Sequence, residues 1–241
     1  MQTSLPVALS AQIAMERRLD TIAHNIANSR TAGFRAEEVK FESYLSNTDR
    51  SSTAFVSRGE AFLSTRAGEM TQTGNPLDLA VSGDGWLAIQ GPNGPVYTRD
   101  GRMQMSVEGE LQTLTGRPIL DVGGAPLQLD PAGGAIEIAR DGMILQNGLQ
   151  VGAVGLFQMQ PETRLTRFDT SGVVPDKAPT AVVEFGDIGV VQGFVEGSNV
   201  NPLLEITRLI EVQRAFEQAA TLTQMSERSL DSAIATLGAQ R

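Results

Sequence analysis

The sequence predicts an α+β protein in which a terminal α-helical coiled-coil domain, built from both chain ends, accompanies an inserted, mostly antiparallel β domain. Three observations predict this class. Apolar residues near each terminus recur at steps of three and four, the period of an amphipathic helix. Between the termini, alternate residues are apolar in the stretches LDLAV, RMQMSV and AIEIAR, the period of a half-buried strand. The 25 glycines and the aromatic content of 5% favour short strands joined by tight turns.

The first predicted element is an N-terminal helix with its exit motif, within residues 1–34. We expect the helix to end near Asn28, because asparagine and then Gly33 suit the backbone conformations that close a helix. Phe34 completes the motif. The apolar positions of the helix are Leu5, Leu9, Ile13, Leu19, Ile22 and Ile26.

The middle of the chain is predicted to be an extended connector over residues 35–75 and a β domain over residues 76–195. Five dipeptides within the β domain are typical of hairpin turns. They are Asp100-Gly101, Glu108-Gly109, Thr115-Gly116, Asp141-Gly142 and Asn147-Gly148.

The last predicted element is a C-terminal helix, within residues 196–241, that pairs with the N-terminal helix. Asn201 is placed to cap it, and Pro202 suits the first helical position, where its missing N–H needs no partner. A coiled-coil seam follows, with polar or small residues between its apolar members. Those members are Ile206, Leu209, Phe216, Leu230, Ile234 and Leu237. The pattern alone fits equally well a helical hairpin packed on the β domain.

Composition excludes several classes of function. The chain has no cysteine, which excludes disulfides, thiolate metal sites and a cysteine nucleophile. A net charge of −9 argues against a nucleic-acid surface, which needs clustered Lys and Arg. The N terminus has no basic segment before its apolar part, so it predicts neither a cleaved signal nor a membrane span.

Few residues are candidates for chemistry. His24 is the only histidine and lies within a predicted helix, so we expect neither a metal site nor a catalytic triad. Four aspartates could suggest the paired carboxylates of a glycosidase. Each lies beside a glycine or one residue from it, which favours turn formation. These are Asp84, Asp100, Asp121 and Asp141.

Three regions, in this order, resemble the bacterial flagellar basal-body rod and hook family. They are IANSRTAGF near the N terminus, TGNPLDLAVSGDGWLAIQ with YTRDGRMQMSVEGELQTLTGRPIL in the middle, and EGSNVNPLLEITRLIEVQRAFE near the C terminus. Ala32 stands where members commonly have proline, and Trp86 and Leu87 stand where they commonly have two phenylalanines. The length favours a proximal rod member, with a distal rod member as the alternative.

The resemblance implies a self-assembling structural subunit of the rod that crosses the periplasm, with no enzymatic role and no cofactor. It also implies export by the flagellar type III apparatus and assembly with itself and with other rod proteins through the terminal helices. The implied interface comprises the apolar seam residues of both helices together with Asn25, Asn28, Gly33, Phe34, Asn199 and Asn201. Helix capping alone accounts for Asn28 and Asn201, whereas Asn25 and Asn199 suit a register-setting role between subunits.

Two functions of other classes stay open at this stage. A β-domain hydrolase of cell-wall glycan with helical dimerisation arms would use acids such as Asp84 or Asp141. A monomeric adaptor would keep both helices packed within one chain.

Overall fold

A computed structural model describes residues 4–41, 43–48, 51–57 and 59–238, with backbone alone at residues 4–6, 43–48, 51–56, 226–227 and 229–238. The chain forms two compact units. The helical unit contains the described parts of Met1–Ala27, Glu37–Phe62 and Asn201–Arg241. The sheet unit contains Asn28–Ala36 and Leu63–Val200. The predicted α+β class is confirmed.

The helices are α1 (Ser4–Ala27) and α2 (Pro202–Gly238). The strands before the middle of the chain are β1 (Glu37–Lys40), β2 (Ser43–Thr48), β3 (Ser51–Val56), β4 (Glu60–Leu63), β5 (Met70–Gln72), β6 (Leu79–Ser82), β7 (Gly85–Gly91), β8 (Gly94–Thr98), β9 (Met103–Met105) and β10 (Leu111–Thr113). The later strands are β11 (Ile136–Ile138), β12 (Met143–Gln146), β13 (Leu149–Ala153), β14 (Leu156–Gln158), β15 (Leu165–Phe168), β16 (Gly172–Pro175), β17 (Thr180–Ala181), β18 (Gly189–Gln192) and β19 (Phe194–Glu196).

The end of α1 and the start of α2 lie where the sequence predicts them. Helix α1 ends at Ala27, and the N–H of Thr31 donates to the carbonyl of Asn28 at 3.1 Å to form the first turn after the helix. Helix α2 begins at Pro202, and Asn201 Oδ1 accepts a hydrogen bond from the N–H of Leu204 at 3.1 Å. This bond satisfies one of the N–H groups that a helix start leaves without a partner, so the predicted cap is confirmed.

The helical unit also contains strands from the segment that the sequence predicts as an extended connector. Helix α1 contacts α2, β1 and β3. Strands β2 and β3 form an antiparallel pair, and β1 pairs with β4. The segment 35–75 therefore carries β1 to β5, divided between the two units.

The sheet unit is built on a six-stranded antiparallel sheet in the order β15-β16-β8-β7-β14-β17. A three-stranded sheet, β11-β12-β13, and smaller antiparallel pairs accompany it. The main core contains fully buried aliphatic side chains from many of these strands, including Leu79, Leu87, Leu111, Ile144 and Leu156. The predicted antiparallel β region is therefore confirmed.

Four of the five predicted hairpin turns are confirmed. Asn147 and Gly148, with φ of 51° and 76°, connect β12 to β13 in the two-residue turn that requires positive φ at both positions. The turns ending at Gly109, Gly116 and Gly142 are closed by backbone hydrogen bonds of 2.9–3.0 Å.

The prediction of a hairpin at Asp100-Gly101 is wrong. Strand β8, before the dipeptide, pairs with β7 and β16, whereas β9, after it, pairs with β10. The Asp100 carboxylate instead accepts from the guanidinium of Arg102 at 2.7 and 2.8 Å. The carbonyl of Gly101 accepts from the N–H of Leu79 at 2.9 Å, so the dipeptide joins strands in different sheets.

A pair of leucine variants tests the position of the main core. We expect Leu111→Ala, at a fully buried position, to lower the free energy of unfolding by about 2–5 kcal/mol through lost burial and a cavity. Leu149→Ala, at a position 72% exposed, should change it by less than about 0.5 kcal/mol. Urea unfolding of both variants measures the difference, and equal losses would contradict this core.

Candidate assembly interface

Helix α2 carries apolar residues on two faces. One face turns into the helical unit, where Val212 is buried and Leu209 and Phe216 are half-buried. The other face is a stripe formed by Leu203, Ile206 and Ile210, which are 75%, 44% and 46% exposed. Because the stripe residues follow one another by three and four positions, they lie on one side of the helix. We call these three residues the outer stripe.

Helix α1 has the same division. Ala14 and Ile22 are buried, and Leu19 and Ile26 are half-buried. Leu9 and Ile13, four residues apart, are exposed. Each helix therefore presents aliphatic side chains to solvent in addition to those that it buries within the helical unit.

The predicted seam residues thus differ in their environments. Ile22 is buried; Leu19, Ile26, Leu209 and Phe216 are half-buried; Leu9, Ile13 and Ile206 are exposed. Leu5, Leu230, Ile234 and Leu237 lie in the helices at positions where the structure describes backbone alone.

Two residues on the inner face of α2 were missed by the sequence pattern. Glu205 and Val212, seven residues apart, are buried, whereas the predicted seam includes Ile206 and neither of these two. The sequence pattern does not indicate Glu205, because a carboxylate is seldom buried without a partner. Its Oε1 lies 2.6 Å from Nη1 of Arg208, which supplies that partner. The seven-residue spacing of Glu205 and Val212, about two helical turns, is the feature of the sequence that indicates this buried face.

Asn25 holds α1 to strand β1 within the helical unit. Its Oδ1 accepts from the N–H of Glu37 and its Nδ2 donates to the carbonyl of the same residue, each at 2.9 Å. The side chain is buried. The amide thus satisfies both polar groups of one backbone position, much as a neighbouring strand would.

Asn199 performs a similar function in the sheet unit. Its Oδ1 accepts from the N–H of Ala36 at 2.7 Å, and its Nδ2 donates to the carbonyl of Arg66 at 2.8 Å. These bonds hold the segment after α1 to the segment before α2. Both Asn25 and Asn199 use their amides within one chain, so their proposed action between subunits stays a prediction.

The exit motif after α1 is packed tightly into the sheet unit. Phe34 is fully buried with Ala36 and Val200. Gly33 has φ of 67°, and its N–H donates to the carbonyl of Glu196 at 2.8 Å. A Cβ at this position would lie 2.2 Å from the backbone nitrogen of Asp100. Both the backbone conformation and the close approach therefore require glycine.

A buried charge cluster adjoins this motif. Glu196 Oε1 lies 2.8 Å from Nη2 of Arg35, and its Oε2 lies 3.2 Å from Nη1 of Arg99. The two guanidinium carbons lie 5.6 and 5.5 Å from the centre of the Trp86 ring, within cation–π distance. All four side chains are buried. We call Arg35, Trp86, Arg99 and Glu196 the buried charge cluster.

Backbone groups supply further hydrogen bonds to the cluster. Arg99 donates to the carbonyls of Val81 and Gly83 at 2.8 and 2.5 Å, and Arg35 donates to the carbonyl of Arg66. Glu196 Oε1 also accepts from the N–H of Gly68 at 2.7 Å. The cluster and its partners therefore join five segments of the chain, at residues 35, 66–68, 81–86, 99 and 196.

Burial sets the electrostatics of the cluster. It lowers the pKa of both arginines, that of Arg99 to about 10, while the negative charge of Glu196 raises both pKa values in opposition. Arg99, with a pKa of about 10, remains charged at neutral pH. Asp84, an exposed residue, also raises both pKa values. Its negative charge adds to that of Glu196 in favouring the charged form of both arginines.

The remaining candidate aspartates organise turns. Asp121 Oδ1 accepts from the N–H of Ala125 at 2.8 Å, and Asp141 Oδ1 accepts from the N–H of Met143 at 3.0 Å. These bonds confirm the prediction that turn formation accounts for them. Across the described positions, no cluster of His, Asp and Glu could hold a metal ion. No helix in the described part of the chain is long and apolar enough to cross a membrane.

Three family models match the chain in the order of the motifs. Residues 5–35 match the model described as flagella basal body rod protein, and residues 80–146 match the flagellar hook protein FlgE/F/G D1 domain. Residues 191–236 match the C-terminal model of the flagellar basal body rod FlgEFG proteins. The first and last matches contain the exit motif and the capped start of α2.

Relatives align over the whole chain. A flagellar basal-body rod protein FlgF from Mesorhizobium japonicum is 52% identical, and one from Rhizobium meliloti is 49% identical, each over 100% of both chains. A flagellar basal-body rod protein FlgG from Bacillus subtilis is 27% identical over 97% of this chain and 98% of its own. The chain therefore belongs to the flagellar basal-body rod protein family, as a structural subunit of the rod in the flagellar basal body.

Proposed function

We propose that this subunit enters the rod through its two terminal helices, which form a coiled-coil wall with the helices of neighbouring subunits. The outer stripe of α2 is the observation that carries the proposal. A helix in a finished monomer normally has one apolar face, whereas α2 has a second one exposed to water. A neighbouring helix would remove that stripe from solvent.

The energetic scale supports assembly through these helices. Fully burying an aliphatic side chain contributes roughly 1.5–3 kcal/mol, and the stripe adds three such side chains on α2 to Leu9 and Ile13 on α1. All five side chains are exposed, so their burial against a neighbouring subunit would favour assembly. The seam residues predicted from sequence belong to the same two helices, so intersubunit packing gives them a common purpose.

The proposal assigns separate tasks to parts of the chain. Residues 1–34 and 196–241 provide the assembling helices and their connections, residues 35–75 provide the connector, and residues 76–195 provide the β domain. The β domain would make lateral contacts that stiffen the rod. The partners are copies of this chain and proximal and distal rod subunits, after delivery by the type III export apparatus.

A structural role also accounts for the polar groups better than catalysis does. The buried carboxylate of Glu196 is held by two arginines and a backbone N–H, the Asp100 carboxylate binds Arg102, and Asp121 and Asp141 close turns. The proposed function therefore needs neither enzymatic activity nor a cofactor.

One substitution in the outer stripe tests the proposed route into the rod. We expect Ile210→Asp to leave the fold of the monomer intact, because residue 210 is exposed. It should still abolish incorporation into the rod, since packing would bury an unpaired charge at a cost of several kcal/mol. Immunoblots of isolated basal bodies and swimming assays measure the effect.

Gln218→Asp provides the matched control. This position is also exposed on α2 but lies to one side of the stripe, and the change introduces the same charge. The control variant should assemble normally. Normal motility and rod incorporation of Ile210→Asp would contradict the proposal.

The buried charge cluster supplies a second test, directed at the structural role of Glu196. We expect Glu196→Gln, which keeps the side-chain size but leaves two buried arginines without their carboxylate, to lower the free energy of unfolding by about 3–5 kcal/mol. Glu137→Gln, at an exposed position, should change it by less than about 0.5 kcal/mol. Urea unfolding at neutral pH compares them, and a neutral Glu196→Gln would refute the role of the cluster.

A further inference from the structure

We propose that the sheet unit carries a head-to-tail contact between two copies of this chain. The tip formed by Val183 and Glu184 of one copy docks into a cleft beside Leu114 and Arg117 of the next. The proposal rests on the assembly of copies in the rod and specifies one lateral contact of that assembly.

The receiving cleft has a volume of about 140 Å³. A water molecule occupies about 30 Å³ in the liquid, so the cleft has room for a side chain. It lies between the turn that follows β10 and the loop that joins β15 to β16. Hydroxyl groups line much of it, including those of Thr113 and Thr115, and the side chain of Leu114 is 54% exposed at its edge.

Arg117 gives the cleft an available positive charge. Its guanidinium lies 4.8 Å from the centre of the Phe168 ring, a stacking contact that restricts the side chain. In the part of the chain that the structure describes, no carboxylate forms an ion pair with it. The other arginine of the cleft, Arg102, is already bound through two nitrogens to Asp100. The carboxylate of Asp169, which also lines the cleft, accepts from Oγ1 of Thr170. A ligand carboxylate would therefore bind at Arg117.

The tip matches this cleft in both polarity and charge. Val183 is 82% exposed and Glu184 is exposed beside it. In the part of the structure described, no hydrogen bond or ion pair involves the Glu184 side chain. An apolar side chain next to an acid is complementary to Leu114 next to Arg117. In a chain of net charge −9, a cation that forms no ion pair attracts the acidic tip of a second copy.

The tip is held in position by the core. Val182 and Ile188 are buried, and Phe185 packs against the same core. Arg140 Nη2 also donates to the carbonyl of Gly186 at 2.6 Å. With these anchors on both sides, Val183 and Glu184 project from a fixed loop. Such preorganisation reduces the entropic cost of binding.

The two surfaces lie at opposite edges of one sheet. The cleft is lined by the loop between β15 and β16, the first two strands in the order of the six-stranded sheet. The tip follows β17, the last strand of that order. A contact between two different surfaces of identical chains is heterologous, and its repetition generates a ring or a helix. This is the symmetry that a rod requires.

Disulfide trapping tests the contact directly, because the chain contains no cysteine. We expect a chain with both Leu114→Cys and Val183→Cys to form a ladder of linked copies when isolated basal bodies are oxidised and run on a denaturing gel. Each single cysteine variant should stay monomeric on the gel. A mixture of the two single variants should give a linked dimer and no longer species.

Charge reversal in the same double-cysteine chain tests the role of the ion pair. Arg117→Glu and Glu184→Arg should each reduce the linked fraction about tenfold, and the two together should restore it. Glu137→Arg, at an exposed position elsewhere in the sheet unit, changes the charge as Glu184→Arg does and should leave the ladder intact. Failure of the combined reversal to restore the ladder would overturn the ion pair.

The outcomes separate this contact from the proposed function. If the double-cysteine chain is present in basal bodies but forms no ladder, the contact is wrong and assembly through the helices stands.

If the cysteines keep the chain out of the rod, a second cross-link tests the contact. Arg117→Lys preserves the charge and allows carbodiimide to link the new amine to Glu184. Mass spectrometry should then find that link in basal bodies, and its absence would overturn the contact. Loss of assembly on substitution of the outer stripe is a separate result that bears on the helices alone.

Discussion

The sheet unit depends on one buried interaction, the carboxylate of Glu196 between the guanidinium groups of Arg35 and Arg99. Removing three charges from water costs several kcal/mol for each, and only close pairing with further hydrogen bonds offsets that cost. Here backbone carbonyls, a backbone N–H and the face of Trp86 supply those further contacts. The arrangement has few alternatives, because displacing any of the segments that meet here would leave a buried charge without one of its partners. It therefore fixes where the segment after α1 meets the segment before α2.

The same constraint explains why the adjoining residues are so restricted. Gly33 must approach the backbone of Asp100 closely and adopt positive φ, while Phe34 fills the space beside Val200. Asn199 then satisfies backbone groups at Ala36 and Arg66. A cluster of charges thus determines position, and the neighbouring apolar and amide side chains seal the site from water. Sealing strengthens each electrostatic contact, because the local dielectric constant is low.

The sequence predicted features that depend on neighbouring residues and missed those that depend on long-range contacts. The end of α1, the Asn201 cap and the Asn147-Gly148 turn follow from local backbone chemistry, and all three are confirmed. The buried charge cluster has no local signal, because Arg35, Trp86, Arg99 and Glu196 meet only through the fold. The Asp100-Gly101 prediction failed for a related reason, since strand pairing elsewhere overrode a typical turn dipeptide. In α2, Ile206 and Glu205 belong to two seven-residue patterns that are offset by one position. The sequence prediction followed the more apolar pattern, which contains Ile206, whereas Glu205 is the residue that is buried.

The contrast between the two units bears on how a subunit selects its neighbours during assembly. The sheet unit buries charges that hold its loops in place, and the helical unit exposes aliphatic side chains that most monomers would bury. Exposed apolar stripes promote association without selecting a partner, because hydrophobic burial is not directional. Selection requires groups that are costly to bury unpaired, and the chain supplies them separately, at Arg117 and Glu184. A net negative charge disfavours random encounters between copies, so productive association requires the complementary sites to meet.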